Sequence, residues 1–138
     1  MKYVLINPIL RTALGGDYHT LQDAERAAGL DPDHVDHGMI SRRIGYVVYE
    51  FGLFIPPAQQ HYFAIGRSLI AGPAVLYGCD QFGESVDLMR STIPDIRWFL
   101  GQNDVEAAIE AGDIARPQTS INNEVTWQWP DAHPWGSR

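Results

Sequence analysis

Alternation of apolar and polar positions predicts that this chain is organised around one strand, Gly45–Phe54. The segment is rich in β-branched and aromatic residues, which are typical of a half-buried strand. Since side chains alternate across a strand, Val47, Tyr49 and Phe51 share an entirely apolar face. The opposite face has Glu50 as its only charge, which we interpret as a solvated strand-end carboxylate; the alternative is a functional acid beside a turn.

Two further apolar runs have the composition of strands. Lys2–Ile6 is predicted to be the first strand, because the proline at Asn7-Pro8 cannot continue a hydrogen-bonded ladder. Ala74–Tyr77 has apolar residues on both faces, which is typical of a central strand. Between these runs, Gly15-Gly16 predicts a turn and Asp31–Gly38 predicts a polar loop.

Two segments have helical periodicity with start and stop signals. Thr20–Gly29 opens with a Thr-x-x-Asp capping box and closes on a glycine. Asn103–Ala111 is predicted to begin with Asn103 as its N-cap and to end at Gly112. The elements together predict an α+β fold, a mainly antiparallel sheet of four to six strands with one or two helices packed on one face.

Length and end segments predict the domain organisation. At 138 residues we expect one domain over residues 1–130, followed by a mobile tail at 131–138. No window approaches the roughly 18 consecutive apolar residues of a membrane span. The N-terminus lacks the pattern of a signal peptide, so we expect a cytoplasmic protein that does not bind membranes.

The charge distribution argues against duplex nucleic acid as the main partner. The net charge is −7, and Arg42-Arg43 is the only adjacent pair of cations, whereas phosphate binding needs clustered Lys and Arg. Neither glycine-rich nucleotide motif occurs in the sequence, and no cofactor is predicted. Cys79 is the only cysteine, which excludes an internal disulfide, and we interpret it as a structural thiol.

The densest group of candidate metal ligands is His34, Asp36 and His37. Imidazole and carboxylate groups bind divalent metals in this way, and the group would suit a metal-dependent hydrolase. The spacing matches none of the strong zinc patterns, so the alternative is a solvated loop whose histidines are close in sequence.

Aromatic residues are the other candidates for function. Tryptophan and tyrosine dominate binding hot spots, and the predicted binding residues are Trp127, Trp129, Trp135 and Tyr62. The alternative for Trp127 and Trp129 is structural, because alternation over Val125–Trp129 would pin a C-terminal strand to the sheet.

Three landmarks carry a family resemblance. They are the opening strand with a helix that closes on Gly29, the strand end Tyr49–Gly52 followed by Pro56, and Ile70–Gly78 followed by Gly83-Glu84. Together they resemble, over residues 2–87, a family of small phage, plasmid and conjugative-element proteins known as domain of unknown function 3846. The chain departs from that family at Tyr49-Glu50, where Asn-Glu is usual, and in a C-terminal extension over residues 91–130.

The resemblance implies a protein that is carried by a mobile element and made in the host cytoplasm. The family has no assigned reaction, so it implies no catalytic residues. We therefore expect a non-enzymatic accessory protein that binds a host or element-encoded protein, for example to inhibit a defence or DNA-processing complex. The alternatives are the metal-dependent hydrolase and a homo-oligomer that forms by edge pairing of the C-terminal strand.

Overall fold

The computed structural model describes residues 1–50, 61–115, 119–121 and 124–126. Its helices are α1 (Leu21–Ala27) and α2 (Gln102–Glu110), with short 3₁₀ helices at Pro32–His34 and Arg90–Thr92. The strands are β1 (Lys2–Asn7), β2 (Thr12–Asp17), β3 (Val35–Met39), β4 (Ile44–Tyr49), β5 (Tyr62–Ile65), β6 (Ser68–Ala71), β7 (Ala74–Cys79), β8 (Ser85–Val86), β9 (Ile96–Trp98), β10 (Thr119–Ile121) and β11 (Glu124–Thr126). No helix in these residues is long and apolar enough to cross a bilayer.

The main sheet is antiparallel and confirms the predicted α+β class. Its strand order is β2-β1-β7-β4-β3, and β8 pairs with the end of β7. The prediction that Ala74–Tyr77 is central is confirmed, since β7 lies between β1 and β4. Both faces of β7 are covered, and Val75 and Leu76, which point to opposite faces, are fully buried.

The organising strand is β4, which is shorter than predicted. It ends at Tyr49, and residues 51–60 lie outside the described part of the chain. Val47 is fully buried against α1, whereas Tyr46 and Val48 are half-buried on the opposite face. The prediction of a buried face therefore holds at Val47 but not at Tyr49, which shares that face and is 40% exposed at the end of the strand.

A second sheet, of order β6-β5-β9, packs against the main sheet. Alternate residues of β5 point to opposite faces: Phe63 contacts the cluster shared with β1 and β7, and Ala64 contacts the cluster beneath α2. The helices α1 and α2 and the two larger sheets thus stack in four layers, α1, the main sheet, the second sheet and α2. The sequence analysis did not anticipate the second sheet.

The first helix begins as predicted, and the second does not. Thr20 caps α1, because its Oγ1 accepts the Asp23 N–H at 3.1 Å. The prediction that Asn103 caps the second helix is wrong, since α2 begins one residue earlier, after Gly101. Instead the Asp104 carboxylate accepts the Leu100 N–H at 3.2 Å, which stabilises the chain before the helix.

Two loop predictions are also wrong. The Gly15-Gly16 pair lies inside β2, and the turn is at residues 8–11, where Asn7 Oδ1 accepts the N–H groups of Ile9 and Leu10. The predicted loop Asp31–Gly38 forms a 3₁₀ helix and then β3, whose main chain pairs with β4. Polar side chains are tolerated there because β3 is an edge strand of the sheet.

Candidate protein-binding site

Strand β2 forms one edge of the main sheet, and its outward main-chain groups can be identified. The Met1 amino group donates to Tyr18 O at 3.2 Å, and the Tyr18 N–H donates to Met1 O at 3.0 Å. Bonded and non-bonded pairs alternate along an antiparallel ladder, so Ala13, Gly15 and Asp17 direct their N–H and C=O groups away from β1. Within residues 1–50 and 61–115, these outward N–H and C=O groups form no backbone hydrogen bond. We call them the β2 edge.

Exposed apolar side chains surround the β2 edge. Leu14 is 64% exposed in the middle of the strand, and Ile9 and Leu10 are 64% and 69% exposed in the preceding turn. No charged residue occurs from position 12 to 16. Natural sheets usually protect an edge with charge or proline, as β3 does with Asp36 and His37 on the opposite side. The β2 edge has no such protection along most of its length.

A cavity of about 290 Å³ opens beside the C-terminal half of β2. One wall is the segment that follows β8, which the Asp87 carboxylate fixes by accepting the Lys2 N–H at 2.8 Å. The Leu88 N–H also donates to Lys2 O at 2.9 Å. The cavity is lined by Lys2, Gly15, Gly16, Asp17, Leu88, Met89 and Arg90. It is large enough to accept one side chain of a peptide that is paired with the β2 edge.

None of the four binding residues predicted from the sequence belongs to the β2 edge. Trp127, Trp129 and Trp135 lie outside the described residues, since β11 ends at Thr126. Tyr62 is in β5, where it is buried in the cluster beneath α2, and this burial raises the pKa of its phenol. The structure therefore places the Tyr62 ring inside the protein and away from the surface where a partner would bind.

The three predicted metal ligands are not brought to one site. Asp36 and His37 are consecutive in β3, so their side chains point to opposite faces of the sheet. His34 lies in the 3₁₀ helix, and its Nδ1 is 2.9 Å from Glu50 Oε1. No group of three or more His, Cys, Asp or Glu side chains that could hold a metal occurs among the described residues. The reason is that a strand formed where a loop was expected.

One buried acid was missed by the sequence analysis. Glu25 is only 2% exposed in α1, and burial raises the pKa of its carboxyl, although the charges of His37 and Arg26 oppose this effect. A signal was available, since Glu25 follows Leu21 by four residues and therefore lies on the apolar stripe of α1.

The arrangement of the β2 edge suits binding better than bond making. Its available groups are main-chain donors and acceptors with apolar side chains around them, and these are the groups that pair with an extended peptide. Comparisons with family models, curated proteins and solved structures found no match to this chain. The family resemblance over residues 2–87 therefore stays a prediction.

Proposed function

We propose that this protein is a non-enzymatic accessory protein of a phage or other mobile element, and that it binds an extended segment of a host or element-encoded protein. The observation that carries the proposal is the β2 edge, whose unpaired main-chain groups lie among exposed apolar side chains. The mobile-element origin comes from the family resemblance alone.

An added strand would use both the main chain and the side chains of this site. Its main chain would pair with Ala13, Gly15 and Asp17, which supplies affinity without sequence preference. Its side chains on the outer face would cover Leu14, while one on the other face would enter the cavity beside Met89. The net charge of −7 would favour a basic segment during association.

The test compares Gly15→Pro with Gly15→Ala. Proline removes the outward N–H of residue 15 but no bond to β1, because that N–H points away from β1. Alanine is the matched control, since a Cβ at position 15 meets no atom within 4 Å. Affinity capture from host lysate, with quantitative mass spectrometry, should recover one protein with the wild type and Gly15→Ala and lose it with Gly15→Pro.

Retention of that protein by Gly15→Pro, or recovery of nothing above background, would contradict the proposal. Thermal melts of both variants establish that the fold is intact. Sedimentation then separates two forms of self-association. A dimer lost in Gly15→Pro would mean that a second copy occupies the β2 edge, and a dimer lost only on deletion of residues 119–138 would favour pairing of the C-terminal strand. No contact among the described residues favours the metal-dependent hydrolase, which stays a prediction.

A further inference from the structure

A second cavity, of about 540 Å³, lies among the ends of β3, β4, β7 and β8. It opens between the turn that joins β3 to β4 and the turn at residues 80–84 that joins β7 to β8. The residues that line it include Arg42, Arg43, Tyr77 and Cys79. None of these residues contributes to the β2 edge or to the cavity beside it.

Strand register sets the floor of this cavity. The Cys79 N–H donates to Arg43 O at 2.9 Å, and Ser85 pairs with Cys79 from the other side. Arg43, Cys79 and Ser85 therefore lie side by side across three neighbouring segments. Tyr77 precedes Cys79 by two residues and shares its face of the sheet. The Cys79 side chain thus lies on the same face of the sheet as the side chains of its neighbours Arg43 and Ser85.

The Tyr77 ring extends this floor across β4. Gly45 pairs with Tyr77, and a Cβ on Gly45 would collide with the Tyr77 ring. The ring therefore occupies the space that a side chain at position 45 would take, and its centroid lies 6.3 Å from that of the His37 imidazole in β3. Tyr77 and Met39 both line the cavity, so one wall is apolar.

The opposite wall carries positive charge on a protein whose net charge is −7. Arg42 and Arg43 are exposed, and within residues 1–50 and 61–115 neither guanidinium forms an ion pair, in contrast to Arg26 and Arg97. The one carboxylate in the lining is Asp80, whose Oδ1 accepts the N–H groups of the residues at 82 and 84 in its own turn. Two guanidinium groups are thus available to an anion.

We propose that this cavity binds a small organic phosphate. The phosphate group would lie between Arg42 and Arg43, because the planar guanidinium matches phosphate oxygens with paired hydrogen bonds. The Ser85 hydroxyl would donate a further hydrogen bond. The organic part would lie against Tyr77 and Met39. The cavity volume is within the range of small-molecule sites, roughly 300–1,000 Å³.

The only cysteine of the chain makes a direct test, because alkylation reports on Cys79 alone. The rate with anionic iodoacetate is compared with the rate with neutral iodoacetamide in the wild type, Arg42→Gln, Arg43→Gln and Arg67→Gln. Arg67 is an exposed control outside both cavities that carries the same charge change. Loss of either pocket guanidinium should lower the iodoacetate-to-iodoacetamide ratio by about threefold at low salt, and Arg67→Gln should not.

Ligand protection is the second measurement. Phenyl phosphate at millimolar concentration should slow alkylation of the wild type by both reagents, more than inorganic phosphate or benzoate does, and should lose this effect in Arg43→Gln. An equal iodoacetate-to-iodoacetamide ratio in all three arginine variants would overturn the proposal of an anion site at Arg42 and Arg43. Equal protection by inorganic phosphate or benzoate would overturn the assignment to an organic phosphate. Unchanged thermal melts establish that the variants are folded.

Discussion

The imidazole of His34 and the carboxylate of Glu50 are joined by a contact of 2.9 Å between Nδ1 and Oε1. The backbone adds a second link, because the Glu50 N–H donates to His34 O at 3.0 Å. This pair connects the 3₁₀ helix Pro32–His34 to the end of β4. The sequence analysis predicted that Glu50 is a solvated acid at a strand end. The structure shows in addition that its carboxylate contacts His34.

The pair predicts a pH dependence. The hydrogen bond with Glu50, more than the nearby charges of Asp31 and Asp33, raises the pKa of His34. Because the pKa of His34 is higher in the folded state than in the unfolded state, protonation of His34 stabilises the folded protein. This contribution is fully present below the unfolded-state pKa and is lost as the pH rises through the folded-state pKa. Glu50→Gln should therefore lower the His34 titration midpoint in an NMR titration. Glu110→Gln, remote in sequence, is the control, and an unchanged midpoint in Glu50→Gln would show that the pair is not formed in solution.

The buried acid of α1 predicts a stabilising substitution. Burial raises the pKa of Glu25, so the folded state bears the cost of the charged form when the pH is above the folded-state pKa. Below the unfolded-state pKa the carboxyl is neutral in both states and this cost disappears. Glu25→Gln should raise the melting temperature near pH 7, and the difference from the wild type should shrink as the solution is acidified. A lower melting temperature at pH 7 would mean that the attraction of His37 and Arg26 outweighs the burial cost.

Close packing at Gly78 predicts a destabilising substitution. A Cβ at position 78 would lie 2.9 Å from Val86 O and 3.2 Å from Asp87 O, so the main chain at β8 would have to move. Gly78→Ala should lower the free energy of unfolding by about 1–3 kcal/mol, as overpacking typically does. Urea denaturation measures the change. Gly15→Ala is the control, because its Cβ meets no atom within 4 Å, and equal stabilities of the two variants would contradict the predicted clash.

The N-cap of α1 predicts that Thr20→Ala lowers the stability of the protein and that Thr20→Ser retains most of it. Thr20 Oγ1 accepts the Asp23 N–H at 3.1 Å, and loss of such a cap costs about 1 kcal/mol. Thr20→Ala should reduce the free energy of unfolding by about this amount in chemical denaturation, while Thr20→Ser retains the oxygen and most of the stability. If serine and alanine destabilise equally, the hydroxyl bond is not the cause.

The sequence correctly predicted the elements whose own residues carry the evidence for them. The capping box and Gly29 mark α1 because each bond of the cap joins residues within one turn. The apolar run of β7 marks a central strand because burial on both faces requires apolar residues at every position. The same reasoning failed at Asp31–Gly38, where pairing with β4 produces a strand whose composition is that of a loop.

The order of apolar and polar residues by itself determined the α+β class and the positions of β1, β7 and α1, and the composition determined the acidic net charge. Only the tertiary structure decided that β2 is an edge strand with outward main-chain groups. It also decided that His34 contacts Glu50 instead of joining Asp36 and His37 in a metal site, and that Arg43 lies beside Cys79. The physical reason is that periodicity reports which face of an element is buried, whereas strand order and register join residues that are far apart in sequence.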